Sequence, residues 1–593
     1  MSSRKDNSLK RVTFDKDILY NSKGKINTKT RDNMNISAGI FEGVGFPLSN
    51  ESQEVKRVFI KWKTLNSHKL TIGTTRQGKS RKMISDIDQQ IAHGDNVFIG
   101  EPKGSVGQEI IGYTIESLIK HNRLKEYIYI SAYFNEYSTK FNPLFGKKNT
   151  ELVSLVAEII EATEAVYINV GKVYTLAISM ALDFIERYDE MFNPYDKIIM
   201  EKMEYAKLET ETVNSLNKYI WEEDYQDSIH GTNWDIIRDL KDGKNEIEKL
   251  KIDEAYERTL ARYDYTKNIK NGVIPLRSFI TFKDIAEFEV RSNFERLADE
   301  FKKRKEELFK MPKNEELKRF AAETDIELDK RLADSEDFIK KLGTCFSTSL
   351  TELITEDIGK IFNDCKVNPL MDALTSNERG AVIVYQPFPL IYSTASVAMG
   401  RILFSMFSSM AGYIGASGSE LKRRLFINID EAGEILSPII KKLSNKGGGL
   451  GFSLCLYTQS IADIEETLGL TGARILLDNM NTKEFFKVND NSTAREVAIA
   501  MGTISKASAS VMGSDKRDTR ATVSINDKDV ASESIIQRLN ERTYLLKEGN
   551  EVYLMAAPYV PDAQFKIFTP LASYGELSKT VDTKRQAIRK LLN

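Results

Sequence analysis

The sequence predicts an α/β chain: a mainly parallel sheet interrupted by a large all-α insertion. Three observations carry that reading. Short apolar runs alternate with helical stretches up to about residue 149. Residues 150–368 then read almost wholly helical, and the strand–helix rhythm returns from 369 to about 570. Alternation of this kind builds parallel sheets, because each crossover helix returns the chain to the same end of the sheet.

Composition bounds what such a chain can be. Its 593 residues are too many for one ordinary core, so two or more domains are expected. With 41% hydrophobic and 29% charged residues it reads as a globular protein. The formal net charge of −2 excludes a global basic field, so any nucleic-acid surface has to be local. Cys345, Cys365 and Cys455 are scattered and odd in number, and the four histidines are dispersed. Neither a disulfide framework nor a zinc centre follows. The N-terminus lacks an apolar signal core.

Residues 1–54 are rich in Lys, Asn and Ser with weak periodicity, and are expected to be a flexible N-terminal arm. Such an arm is either a disordered tail or a segment that docks on a neighbouring subunit or membrane partner. Residues 55–62 (VKRVFIKW) alternate as a strand does.

The stretch Gly73-Thr74-Thr75-Arg76-Gln77-Gly78-Lys79-Ser80 follows a short apolar strand and opens a helix. It fills the G-x-x-x-x-G-K-[ST] spacing of a phosphate-binding loop. The glycines allow a tight turn and close approach to an anion. The N–H groups at the helix start point at phosphate oxygens, where the helix dipole favours negative charge. Lys79 reaches the β- and γ-phosphates of ATP and the Ser80 hydroxyl holds Mg²⁺.

A helix over 81–92 leads to Gly94, then an apolar run 96–100 (NVFIG) suits a buried parallel strand. It ends in Glu101-Pro102-Lys103-Gly104, either a site edge or a plain turn; α/β sheets bind ligands at the carboxyl ends of their strands. A helix over 110–120 and a strand over 127–131 close this part. The insertion carries densely charged helices at 288–309 and 314–341, whose faces are either solvated or bind a partner.

The α/β pattern resumes with a strand at 380–385. Residues 397–416 have the length of a membrane span, but carry Arg401 and three serines between two strands of one domain. A buried core helix is expected there, and the chain is expected to be cytoplasmic, or peripheral at the inner membrane through partners. The strand 424–429 ends in Asp430-Glu431. Asp430 is placed to bind Mg²⁺ through water, and Glu431 to deprotonate the attacking water as general base. A Gly-rich turn (445–452) enters an apolar strand ending in Thr458-Gln459, where Gln459 either senses the γ-phosphate or holds water. Short helices at 464–468 and 474–477, a strand at 484–488 and a helix at 493–501 follow. Residues 505–524, with Lys506, Lys516, Arg517 and Arg520, read as a mobile or pore-facing segment or a solvated loop. Lys584, Arg585, Arg589 and Lys590 mark a basic helical tail. The expected divisions are therefore an arm (1–54), a nucleotide-binding domain in two parts (55–149 and 369–570), the all-α insertion (150–368) and the tail (571–593).

Several stretches match one family in order. They are 68–80 (HKLTIGTTRQGKS), 96–104 (NVFIGEPKG), Phe141-Asn142-Pro143-Leu144, 380–385, 425–431, 445–459 (NKGGGLGFSLCLYTQ) and 478–483 (DNMNTK). With these the chain resembles the TraD/TraG-type coupling ATPases of conjugation and type IV secretion, RecA-like P-loop motors of the FtsK/HerA group. The resemblance implies ATP and Mg²⁺ at subunit interfaces of a homo-oligomer, a hexameric ring. It implies DNA, single-stranded, as cargo, relaxase or relaxosome proteins recruited by the all-α domain, and secretion-channel and membrane proteins as partners. Lys79, Ser80, Asp430, Glu431 and Gln459 take their roles by motif position. Four departures stand out: no membrane helices precede the nucleotide domain, Arg76 replaces a small loop residue, Glu101 is the acid of the Asp-Pro-Lys-Gly pattern, and Gly448 stands where an arginine finger is usual. Lys446 or Arg474 would have to substitute. Besides a DNA translocase, two readings stay open: a substrate-recruiting adaptor with slow ATP turnover, and a chromosome or viral DNA pump.

Overall fold

The computed structural model describes residues 20–21, 24–25, 28–48, 54–103, 107–135, 138–159, 165–219, 240–263, 273–335, 350–351, 353–354, 356–375, 380–513 and 519–561. Two compact units emerge. Among the described residues, one comprises those within 1–127, 374–385 and 410–561; the other those within 128–373 and 386–409. The second unit thus starts some twenty residues before the expected insertion and also takes a stretch beyond it.

The first unit is built on one sheet. Its strands are β1 (Ile40–Pro47), β2 (Lys56–Ile60), β3 (Lys69–Ile72), β4 (Asn96–Gly100), β5 (Val382–Tyr385), β6 (Leu425–Ile429), β7 (Phe452–Thr458) and β8 (Thr482–Phe485). A separate antiparallel ribbon is formed by β9 (Thr503–Gly513) and β10 (Thr519–Asp529). The sheet is completed by β11 (Thr543–Glu548) and β12 (Glu551–Ala556). Within the unit the order is β2-β1-β12-β11-β8-β3-β7-β6-β4-β5. Pairing is parallel from β8 to β5 and antiparallel from β8 out to β2. The parallel strands β3, β4, β5, β6 and β7 are buried along their whole length, as continuous apolar runs require when both faces are covered.

Two helices follow the first parallel strands: α1 (Lys79–His93) and α2 (Gly107–Lys120). α1 begins after Gly78 at φ 104° and stops at Gly94 at φ 88°, whose N–H donates to the Gln90 and Ile91 carbonyls. Both glycines sit in the left-handed region that other residues avoid. α1 docks on β6 through an exchange of amides. Asn428 Nδ2 donates to Gln90 Oε1 at 2.7 Å and Gln90 Nε2 to Asn428 Oδ1 at 3.3 Å. Both side chains are fully buried, so each polar atom needs the other.

One sequence expectation changes here and two take form. Residues 40–47, expected in a flexible arm, form β1, buried throughout. Residues 505–524, read as a mobile or pore-facing segment or a solvated loop, lie largely on the β9–β10 ribbon; Lys516 and Arg517 fall outside the described residues. The two short helices expected after β7 both form along α3 (Ile461–Asp478), separated by non-helical backbone at Gly469 with φ 70°. The basic tail lies outside the described residues.

β1 also brings in a charge. Glu42, Lys69, Lys82, Asp86 and Glu484 form a fully buried cluster in the first unit. Lys69 contacts Asp86 and Glu484, each at 2.8 Å, and Glu42 at 3.2 Å. Lys82 contacts Asp86 at 2.5 Å and Glu42 at 2.6 Å. With three acids on two lysines, Glu42 is the group that burial pushes up, to about 8, against the pull of Lys69 and Lys82. Burial also acts against ionised Glu484, but the same two lysines outweigh it and hold that carboxyl low.

The second unit is mainly helical, with long helices at Ala165–Glu190, Asp196–Tyr219, Arg291–Phe309 and Glu315–Leu332. Phe184 and Phe301 meet edge to face in its interior. The apolar stretch expected as a core helix forms Ser393–Ala416, with Met399, Ile402, Leu403, Met406 and Phe407 completely buried. It is the one helix among the described residues long and apolar enough to cross a membrane.

Candidate nucleotide site

The site residues converge at the carboxyl ends of β3, β4, β6 and β7, which are neighbours in the order β3-β7-β6-β4. Residues 73–80 connect β3 to α1. Thr75 and Arg76 are exposed, and Arg76 adopts φ 63°. The loop is seated by residues that no motif signals. Thr74 N and Oγ1 donate to the Lys487 carbonyl at 3.0 and 3.1 Å, and Arg542 N donates to the Gln77 carbonyl at 2.9 Å. Gly73 lies so close to Phe486 that a Cβ on it would stand 2.5 Å from the Phe486 Cβ. Close backbone approach therefore requires glycine there.

Lys79 is buried, and its Nζ has no hydrogen-bond partner. The nearest counter-charge is Glu431 Oε1 at 3.7 Å. Burial lowers the Lys79 pKa, with Glu431 and Asp430 opposing. Asp430 is fully buried at the end of β6, held by its N–H to the Gly100 carbonyl. Its Oδ2 accepts from Lys103 Nζ at 3.0 Å, while Oδ1 is buried without a partner. Glu431 stands at φ 46°, a strained conformation for a residue with a side chain, which turns the chain sharply at the strand tip. Its Oε1 meets Lys103 Nζ at 2.6 Å and Gln459 Nε2 at 3.0 Å.

Sequence motifs thus met in space: Lys79, Asp430, Glu431 and Gln459 share one pocket of charge. Lys103 is the member that motif reading left without a role. The Glu101-Pro102-Lys103 strand end was the signal for it, and the structure sets it beside Asp430 and Glu431. Burial disfavours the charged Lys103, but Asp430 and Glu431 outweigh it and raise the pKa.

Two substitutes for the finger position lie elsewhere. Gly448 precedes β7, at the end of that strand opposite Gln459, and so does exposed Lys446. A Cβ on Gly448 would stand 2.1 Å from the Asn66 carbonyl oxygen, so no side chain fits there. Arg474 is exposed on α3.

The residues fit a magnesium-bound nucleotide. A buried ammonium without a hydrogen-bond acceptor and a buried carboxylate oxygen without a donor are costly unless a ligand supplies the partner. Among the described residues no cluster of three or more His, Cys, Asp or Glu could hold a metal by itself. A Mg²⁺ site takes one or two protein ligands, completed by phosphate oxygens and water. Asp430 and Ser80 are the protein groups available for it.

Comparison with known proteins gives the following. Residues 424–541 match the family model described as the TraM recognition site of TraD and TraG. The trigonal form of the bacterial conjugative coupling protein TrwBdeltaN70, in complex with sulphate, matches at TM-score 0.50 and 11% identity, covering 92% of this chain and 94% of that one. Plasmid coupling protein TrwB in complex with ADP and Mg²⁺ matches at TM-score 0.49 and 12% identity, covering 86% and 90%. VirB4 of Thermoanaerobacter pseudethanolicus matches at 0.37 and 13%, covering 89% and 98%. At 11% identity the likeness to the trigonal TrwBdeltaN70 form is one of fold. No curated protein matches.

Proposed function

We propose, for this chain of the TraD/TraG coupling type, the role of an ATP-driven DNA translocase that delivers a relaxase–DNA substrate to a conjugative type IV secretion channel. The observation that carries it is the Lys79 ammonium, buried without a hydrogen bond and facing the acid-tipped strand β6. In this reading residues 73–80 cradle the phosphates of ATP, with Lys79 donating to them. Ser80 and Asp430 would hold Mg²⁺, which would supply charge neutralisation at the phosphates. Glu431 takes the proton from the attacking water, and Gln459 fixes the orientation of the Glu431 carboxylate through its amide. A hexameric ring would place DNA in its pore and set each site against a neighbour.

The experiment is ATP hydrolysis with and without single-stranded DNA, for wild type and K79A. DNA-stimulated hydrolysis lost in K79A is the expected result. Hydrolysis that ignores DNA in every assembly state would remove the motor.

One observation favours a second reading, a nucleotide-binding adaptor that recruits relaxosome proteins with slow turnover. The position expected to carry an arginine finger has no room for any side chain, because the Asn66 backbone fills it. A finger supplies orders of magnitude in rate. Tight ATP binding with negligible turnover and capture of relaxosome protein would select this reading.

A further inference from the structure

The charges of the site balance without any metal. Lys103 Nζ bridges Asp430 Oδ2 at 3.0 Å and Glu431 Oε1 at 2.6 Å, so one ammonium contacts both adjacent acids, and Lys103 and Lys79 together match their two charges. Its position is built. Glu101 is fully buried and anchored by its N–H to the Tyr385 carbonyl at 2.9 Å. Its Oε1 accepts the Lys103 N–H at 2.7 Å, and Pro102 between them restricts the backbone. This clamp aims the Lys103 side chain at the tip of β6.

We propose that Lys103 is an internal counter-cation: it holds Asp430 and Glu431 in the nucleotide-free site and is displaced when the divalent cation arrives with nucleotide. The inference rests on the nucleotide-site reading above. A dication beside Asp430 repels an ammonium that shares the same carboxylate, and at low local dielectric the two do not coexist at contact distance. Lys103 therefore competes with the metal, and its departure leaves Glu431 Oε1 to the Gln459 amide alone. Lys103 acts through the two acids and is a positioning residue. It ties release of the Glu431 carboxylate to occupation of the metal position, which keeps the acid covered when no metal is bound.

The test is binding of Mn²⁺ to the full chain in the presence of ADP, read by electron paramagnetic resonance, for wild type, K103M, K103Q and K103R. Removing a competitor tightens Mn²⁺ on the order of tenfold in K103M and K103Q, while K103R stays near wild type. A general structural role would weaken binding in all three. Chemical acetylation of wild-type lysines, read by mass spectrometry, needs no variant: labelling of Lys103 rises when Mn²⁺ and ADP are added together. Unchanged or weaker Mn²⁺ binding in K103M and K103Q, or labelling of Lys103 that falls or stays the same, overturns the inference and leaves the nucleotide site standing. Wild-type protein that binds no ADP removes the nucleotide site itself.

Discussion

The Lys79 ammonium stands 3.7 Å from the Glu431 carboxylate, although one belongs to the first strand–helix turn of the chain and the other follows a strand far along it. Between them runs β7, which pairs in parallel with β3 on one side and β6 on the other. That register sets the phosphate loop and the acidic tip at the same end of the sheet. The contact is loose for an ion pair, and the lysine keeps its donors unused.

Lys79 is the first target. K79A removes the buried cation that nothing in the chain satisfies, and nucleotide affinity or turnover falls by about a hundredfold or more. Titration with a fluorescent ATP analogue measures it. Equal affinity in K79A would detach the loop from phosphate binding.

Glu431 separates binding from chemistry. E431Q keeps the shape of the acid but cannot accept a proton, so ATP binding persists while hydrolysis drops by about 10²–10⁴. Single-turnover assays read the difference, and an active E431Q would assign the base elsewhere.

The amide exchange between Asn428 and Gln90 joins β6 to α1. N428A leaves the buried Gln90 amide unpaired, which costs about 1–3 kcal/mol. Urea denaturation of the two proteins measures the loss. An unchanged midpoint would mean that the pair does not hold the helix.

Gly448 offers a converse experiment. G448R introduces the residue type expected at this position of the Gly-rich turn, but its Cβ would collide with the Asn66 backbone. The variant melts lower than wild type and gains no ATPase rate. A faster, equally stable G448R would show that the turn opens to admit a finger.

Glu42 sets a dependence on pH. Its folded pKa is raised from 4.5 to about 8, so the folded state holds its proton more tightly than the unfolded chain. That contribution is complete below pH 4.5 and is lost as pH rises through about 8. The low pKa of Glu484 and the raised pKa values of Lys69 and Lys82 act outside this window. E42Q cannot ionise, so its stability declines less than that of wild type between those limits. Denaturation across the range measures the difference, and parallel curves would show that Glu42 does not titrate there.

Much of the site was legible because it is local. The Gly78-Lys79-Ser80 turn needs a left-handed glycine and a helix start within three residues, and a strand with both faces covered must be apolar, as β6 and β7 are. Spacing and residue type express these demands directly. Only the tertiary structure decided the rest. Glu42 is the lone charge in the apolar run Ile40–Pro47, and nothing nearby in the chain says that Lys69, Lys82 and Glu484 enclose it. Phe486, just past β8, and Arg542, just before β11, seat the phosphate loop although they follow it by hundreds of residues, and Lys103 acquires its role only when β4 lies beside β6. Short-range conformational preference is written in neighbouring residues, whereas the pairing of buried charges depends on which strands become adjacent, and the sheet order alone supplies that.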